Sequence, residues 1–146
     1  MERILAVNPG ATSTKFAVFE GETVLVKKTV EHHGDELKAF SRVFDQYPYR
    51  IDLLRRELAE AGIELSSLHA VVGRGGLMKP LDGGTYQVNE TMVQEMEKAE
   101  RGEHASNLGS VIAYTLGREL GIPAFIVDPV SVDELEPVAG ISGSPW

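Results

Sequence analysis

The sequence predicts an α/β protein on a mixed five-stranded sheet, its first three strands antiparallel and its faces flanked by helices. Three observations carry this. Strand-like apolar runs follow one another from the start, joined by turns too short to hold a helix. Helical periodicity then takes over from about Leu37. Two further short apolar runs, 68–73 and 122–127, each follow a helical stretch, the arrangement that adds parallel strands.

Taken in order, the strands run from Arg3 to Asn8, Thr14 to Glu20 and Glu22 to Val30, with Glu20-Gly21-Glu22 as a tight turn between the last two. Leu37, Phe40, Phe44 and Tyr47 recur at three- and four-residue spacing, as do Ile51, Leu54, Leu58 and Ala61. Pro48 is expected to separate these two helices, and Gly62 to stop the second. Leu68 to Gly73 reads as a strand, and Gly75 to Gly84 as a loop with Pro80 and Asp82-Gly83-Gly84 as turn chemistry. Asn89 is placed to cap a helix reaching about Ala99, with Met92, Val93 and Met96 on its buried side. A helix from Ser106 to Leu120 buries Leu108, Val111, Ile112 and Leu116 and stops at Gly121. Ile122 to Val127 is the last strand, ended by Asp128-Pro129.

Composition narrows the function. The 146 residues fit one domain with its own core, and 42% hydrophobic with 25% charged residues is ordinary for a globular protein. The net charge of −8 and absence of a basic run disfavour nucleic acid as a partner. No cysteine is present, which excludes disulfides and thiolate metal sites and fits a reducing compartment. Met1-Glu2-Arg3 opens directly into a strand-like run and no stretch has transmembrane length, so the expected location is the cytoplasm, away from membranes.

Chemistry concentrates in the first turn, Asn8-Pro9-Gly10-Ala11-Thr12-Ser13-Thr14-Lys15. Phosphate loops of the Walker or dinucleotide type feed a helix; this one feeds a second strand. Asn8 brings an amide, Thr12, Ser13 and Thr14 hydroxyls and Lys15 an ammonium, while Gly10 admits positive φ and a close backbone approach. That set suits the outer phosphates of a nucleotide, although the same residues also favour an ordinary hairpin turn. Arg74 sits where a strand breaks into a glycine loop; its planar fork suits a carboxylate or phosphoryl oxygen, although spacing alone favours a surface arginine at a bend. His104 precedes a helix, where a histidine commonly caps or packs, and Asp128 ends a core strand, where a carboxylate is either a turn cap or part of a ligand crevice. His32, His33 and His69 have no comparable context and read as surface or packing residues; His32-His33 with Asp35 and Glu36 hints at metal without further support.

The element order resembles one lobe of the actin-like ATPase superfamily, with its ribonuclease H-like sheet. The run Asn8 to Lys15 resembles the opening signature of the acetate and butyrate kinases: asparagine, any residue, glycine, three small residues, any residue, lysine. Ala11 stands where serine is more usual. Gly73-Arg74-Gly75-Gly76-Leu77, Gly83-Gly84-Thr85-Tyr86, Gly102-Glu103-His104-Ala105-Ser106-Asn107-Leu108-Gly109 and Val127-Asp128-Pro129-Val130, in that order, are similar to the butyrate kinase branch. Arg74 directly precedes Gly75-Gly76, whereas the acetate kinases carry their arginine four residues before the glycine pair.

The resemblance implies phosphoryl transfer between ATP and a short-chain carboxylate such as butyrate, giving an acyl phosphate and ADP. It implies that Asn8, Gly10, Thr12, Ser13 and Lys15 bind phosphate, that Arg74 meets the acceptor or the transferring phosphoryl, and that His104 is an active-site wall or phosphoryl contact. Asp128 is implied to hold Mg²⁺ or position the acceptor. A carboxylate acceptor is already nucleophilic near neutral pH, so no strong general base is required. The family is two-lobed, with nucleotide in the cleft, so the 146 residues are expected to form the N-terminal lobe, inactive alone, of an enzyme that is a homo-oligomer at full length. Two other classes compete. A non-catalytic actin-like module binding nucleotide or partners would keep the hairpin and not need Arg74 and Asp128. A dinucleotide-binding oxidoreductase is disfavoured because no G-x-G-x-x-G follows the first strand.

Overall fold

The computed structural model describes residues 2–74, 85–98 and 108–127. Among them β1 (Arg3–Pro9), β2 (Ser13–Glu20) and β3 (Thr23–Glu31) come first, followed by the short helix α1 (Gly34–Lys38) and the longer α2 (Tyr47–Glu60). Strand β4 (Ala70–Arg74), strand β5 (Thr85–Gln87), helices α3 (Glu90–Lys98) and α4 (Leu108–Leu120), and strand β6 (Ala124–Val127) complete the order.

The strands form one sheet in the order β3-β2-β1-β4-β6-β5. β1 pairs antiparallel with β2 and β2 with β3, while β1, β4 and β6 run parallel. The five expected strands are therefore present with the expected senses. A sixth, the three-residue β5, joins the far edge antiparallel to β6. Its brevity leaves no alternation to read from sequence.

Why these residues form this sheet follows from burial. β1 is central and apolar at nearly every position, as a strand covered on both faces must be. β3 lies at an edge and alternates weakly, with Val26 and Val30 packed on the core and Lys27, Lys28 and Thr29 exposed. Gly21, at φ 58, turns the chain between β2 and β3, and the register slips by one residue between Val18 and Phe19.

One face of the sheet carries Leu5, Val7, Phe16, Val18 and Val71, which pack with Ile51, Leu54 and Leu58 of α2 and Leu108, Ile112 and Leu116 of α4. The other carries a smaller cluster of Ala6, Ala17 and Phe19. The close seat of α4 needs glycine on both partners: a Cβ built on Gly73 would stand 2.1 Å from the Gly109 carbonyl oxygen, and one on Gly109 would stand 1.8 Å from that of Arg74. α2 ends in a Schellman motif, with Gly62 at φ 77, Gly62 N–H donating to Ala59 O at 3.0 Å and Ile63 N–H to Leu58 O at 2.9 Å. Gly121, at φ 70, ends α4 in the same way, with Ile122 N–H donating to Gly117 O at 2.9 Å.

The segment between β3 and α2 departs from expectation. The periodicity of Leu37, Phe40, Phe44 and Tyr47 does not make one helix: α1 stops at Lys38 and a single 3₁₀ turn spans Phe44–Gln46. Pro48 does not divide two helices but sits in the first turn of α2, where its missing N–H costs nothing. Nothing in the segment is long enough to nucleate a stable helix alone, and its aromatic rings pair locally instead, Phe40 with Tyr49 at 5.8 Å and Phe44 with Tyr47 at 5.2 Å between centroids. In α3, Val93 packs against the core as expected, whereas the Met92 and Met96 side chains lie outside the described residues.

Candidate functional site

Strand pairing brings the hairpin and the β4 arginine together. Asn8 and Lys15 are direct partners across the β1–β2 ladder. Val7 pairs with Gly73, so Asn8 and Arg74 are the next residues along two adjacent parallel strands. Lys15, Asn8 and Arg74 thus form one row across three strands, with the outer two backbones about 10 Å apart from the standard strand spacing. Because side chains alternate, and Val7 and Phe16 enter the core under the helices while Gly73 backs onto Gly109, the three residues project from the opposite face. Lys15 is exposed, and Asn8 and Arg74 are half-buried. The same row continues through the backbone of Val127, which pairs with Arg74. Residues His104 and Asp128 themselves lie outside the described residues.

The turn itself is compact. Gly10 N–H donates to the Ser13 carbonyl at 2.7 Å and His32 N–H to the Thr12 carbonyl at 2.8 Å. Gly10 does not use positive φ; among the described residues Gly21, Gly62 and Gly121 do. A Cβ at Gly10 would rest 3.4 Å from the Ser13 carbonyl oxygen, an ordinary contact, so neither left-handedness nor crowding within the turn requires glycine here. Thr12 is exposed and Ser13 half-buried at the tip.

Behind the turn, on the helix side, lies a group that sequence reasoning missed. Arg50, on α2, is 0% exposed. Its Nη1 donates to the Ser13 carbonyl at 3.1 Å and to Thr14 Oγ1 at 3.2 Å, and its Nε and Nη2 donate to Gln46 Oε1 at 3.2 and 2.8 Å. No described carboxylate forms an ion pair with it, and burial pushes its pKa down to about 10. Thr14 Oγ1 lies 2.8 Å from His32 Nε2, His32 Nδ1 lies 3.4 Å from the Tyr49 hydroxyl, and that hydroxyl donates to Glu36 Oε2. His32 is therefore buried and hydrogen-bonded, the packing alternative of the two expected for it, with burial first and Arg50 second holding its pKa below the usual histidine value. The available signal was Arg50's position three residues after Tyr47 and four before Leu54, on the apolar stripe of its helix. His69 is exposed and accepts the Arg3 N–H at Nδ1, 2.9 Å, a contact at the start of β1.

Among the described residues no group of three or more histidines and carboxylates is placed to hold a metal. The hairpin row, by contrast, offers an amide, an ammonium and a guanidinium on one face, a donor set that fits polyphosphate oxygens.

The sheet order, the antiparallel start and the parallel continuation are those of the actin-like ATPase fold. No family model matches the chain. Among solved structures it is similar to an acetate kinase from Entamoeba histolytica (12% identity, TM-score 0.56), covering 87% of this chain and 36% of that one. It is also similar to a propionate kinase from Francisella tularensis (15% identity, TM-score 0.51; 92% and 38% covered) and to YeaZ from Pseudomonas aeruginosa (16%, 0.52; 98% and 50%). The chain thus spans half or less of the length of these neighbours.

Proposed function

We propose that this chain is one lobe of a short-chain carboxylate kinase, which transfers a phosphoryl group between ATP and butyrate or a similar acid. The observation that carries the reading is the Lys15–Asn8–Arg74 row, which puts the residues of the first-turn signature beside the arginine of the second motif. Acetate and propionate kinases with the same fold support the reaction class.

In this reading Asn8, Ser13 and Lys15 bind the outer phosphates, and Arg74 lies over the phosphoryl group in flight or the acceptor carboxylate. Transfer requires attacking and leaving oxygens in line, with cations over the equatorial oxygens; Lys15 and Arg74 are cations of that kind. The acceptor is already ionised near neutral pH, so the chain need supply position and charge, not a base. His104 and Asp128 keep the roles implied by their motifs, as a wall or phosphoryl contact and as a Mg²⁺ or acceptor-positioning carboxylate. The rest of the nucleotide cleft is assigned to a second lobe, in keeping with neighbours two to three times this length.

The test is a titration of the ¹⁵N-labelled chain with Mg·ATP. Weak binding is expected, with shifts centred on Asn8, Ser13, Lys15 and the Arg74 side chain. Shifts confined to other regions contradict the assignment. A non-catalytic nucleotide-binding module predicts binding that does not depend on Arg74 and no turnover in any assembled form.

A further inference from the structure

A buried arginine without a carboxylate partner is costly unless its donors are satisfied. Arg50 meets that condition for four of its five N–H donors, two of the bonds going to the back of the hairpin that presents Ser13 and Lys15. The donor order of its network is fixed by the two ends. Arginine can only donate and an ionised carboxylate can only accept. Tyr49 donates its proton to Glu36, so His32 Nδ1–H donates to the Tyr49 oxygen. The neutral ring then accepts the Thr14 hydroxyl proton at Nε2, while Thr14 Oγ1 accepts from Arg50 Nη1. One neutral tautomer satisfies every member, and it links the buried cation under the turn to a carboxylate at the surface. Four segments are tied by it: β2, the end of β3, α1 and α2.

Strand alternation puts Thr14 on the helix face while its neighbours Ser13 and Lys15 face the other way. The network therefore grips the hairpin from behind, through one side chain and one carbonyl, without occupying the face that carries Asn8 and Arg74. We infer that Arg50 is a positioning residue for phosphate binding: through Ser13 and Thr14 it fixes the hairpin tip in its binding shape. This rests on the hairpin being the phosphate site.

The experiment titrates the ¹⁵N-labelled chain with magnesium tripolyphosphate, a probe that needs no adenosine pocket. The variants are Arg50→Met, Arg50→Lys, Thr14→Val and the double replacement Ser13→Ala with Lys15→Ala. In the unsubstituted chain the hairpin amides and the Arg50 Nε–H resonance should shift together with one affinity. Arg50→Met should weaken binding by about tenfold or more, the loss expected when a charge-assisted hydrogen bond is removed. Arg50→Lys should recover only part, because an ammonium cannot span Ser13, Thr14 and Gln46 at once. Thr14→Val, close to Thr in shape, supplies the answer if Arg50→Met does not fold, and should weaken binding severalfold. A folded Arg50→Met or Thr14→Val chain with unchanged affinity, alongside loss of binding in the double variant, overturns the inference and leaves the phosphate site standing. Unchanged binding in the double variant, or no hairpin shifts in the unsubstituted chain, overturns the phosphate site and the inference with it.

Discussion

Among single residues, Arg74 and His32 make the sharpest claims. If Arg74 stabilises transferred charge, Arg74→Ala in the proposed two-lobed enzyme should lower kcat by on the order of 10²–10³ with little change in KM for ATP. Steady-state kinetics checks this, and near-unchanged kcat removes Arg74 from the mechanism; lysine at the position should rescue poorly, lacking the planar fork. For His32 the sign follows from its surroundings: Arg50 and Tyr49 from α2, Glu36 from α1 and Glu31 from β3, with desolvation dominant and the folded pKa lowered. Below about pH 6.5 the unfolded chain binds the proton more tightly than the folded one. His32 thus contributes stability that is fully present above that pH and is lost as pH falls toward its folded value. Urea midpoints at several pH values should drop on acidification, and the drop should shrink in His32→Gln; an identical pH profile in the variant contradicts this. Arg74 was singled out as a candidate because it stands in a motif. His32 and Arg50 were not, because a buried polar network depends on partners 18 and 36 residues apart in sequence, which no local pattern encodes.

Elements were legible where their pattern was long and their ends were marked. β1, β2, α2 and α4 have continuous apolar or helical periodicity and glycine stops at Gly62 and Gly121, and all appear. The stretch from Leu37 to Tyr47 carried the same spacing, yet packing against Tyr49 and the nearby rings won over a helix too short to sustain itself. β5 was invisible for want of length. The seat of α4 on β4 was also hidden, since a contact between Gly73 and Gly109 is a property of the assembled layers. It makes a strong prediction: Gly73→Ala or Gly109→Ala should force the helix off the sheet and cost about 1–3 kcal/mol or more, read as a lowered urea midpoint. Gly62→Ala has open space around its Cβ, and should be penalised only through its φ of 77. Equal midpoints for Gly73→Ala and the unsubstituted chain would mean the close approach is not as described.

At the scale of the whole molecule, the order of antiparallel and parallel strands was readable before any side-chain geometry, because hairpin turns and helical crossovers leave different spacings. That order yields the actin-like fold and aligns the first-turn signature with Arg74. The substrate is a finer matter, since one methylene more or less in an acid pocket is worth only about 1–3 kcal/mol. The measurement that tests the central claim most directly is hydroxylamine trapping of acyl phosphate from ATP, Mg²⁺ and acetate, propionate or butyrate. It is run with this chain alone, and again with a separately expressed second lobe of a carboxylate kinase shown to associate with it. No hydroxamate is expected from the chain alone, and the pair should give hydroxamate that is lost with Arg74→Ala. Clear turnover by the chain alone would contradict the one-lobe reading, and a silent associated pair would contradict the carboxylate kinase reading.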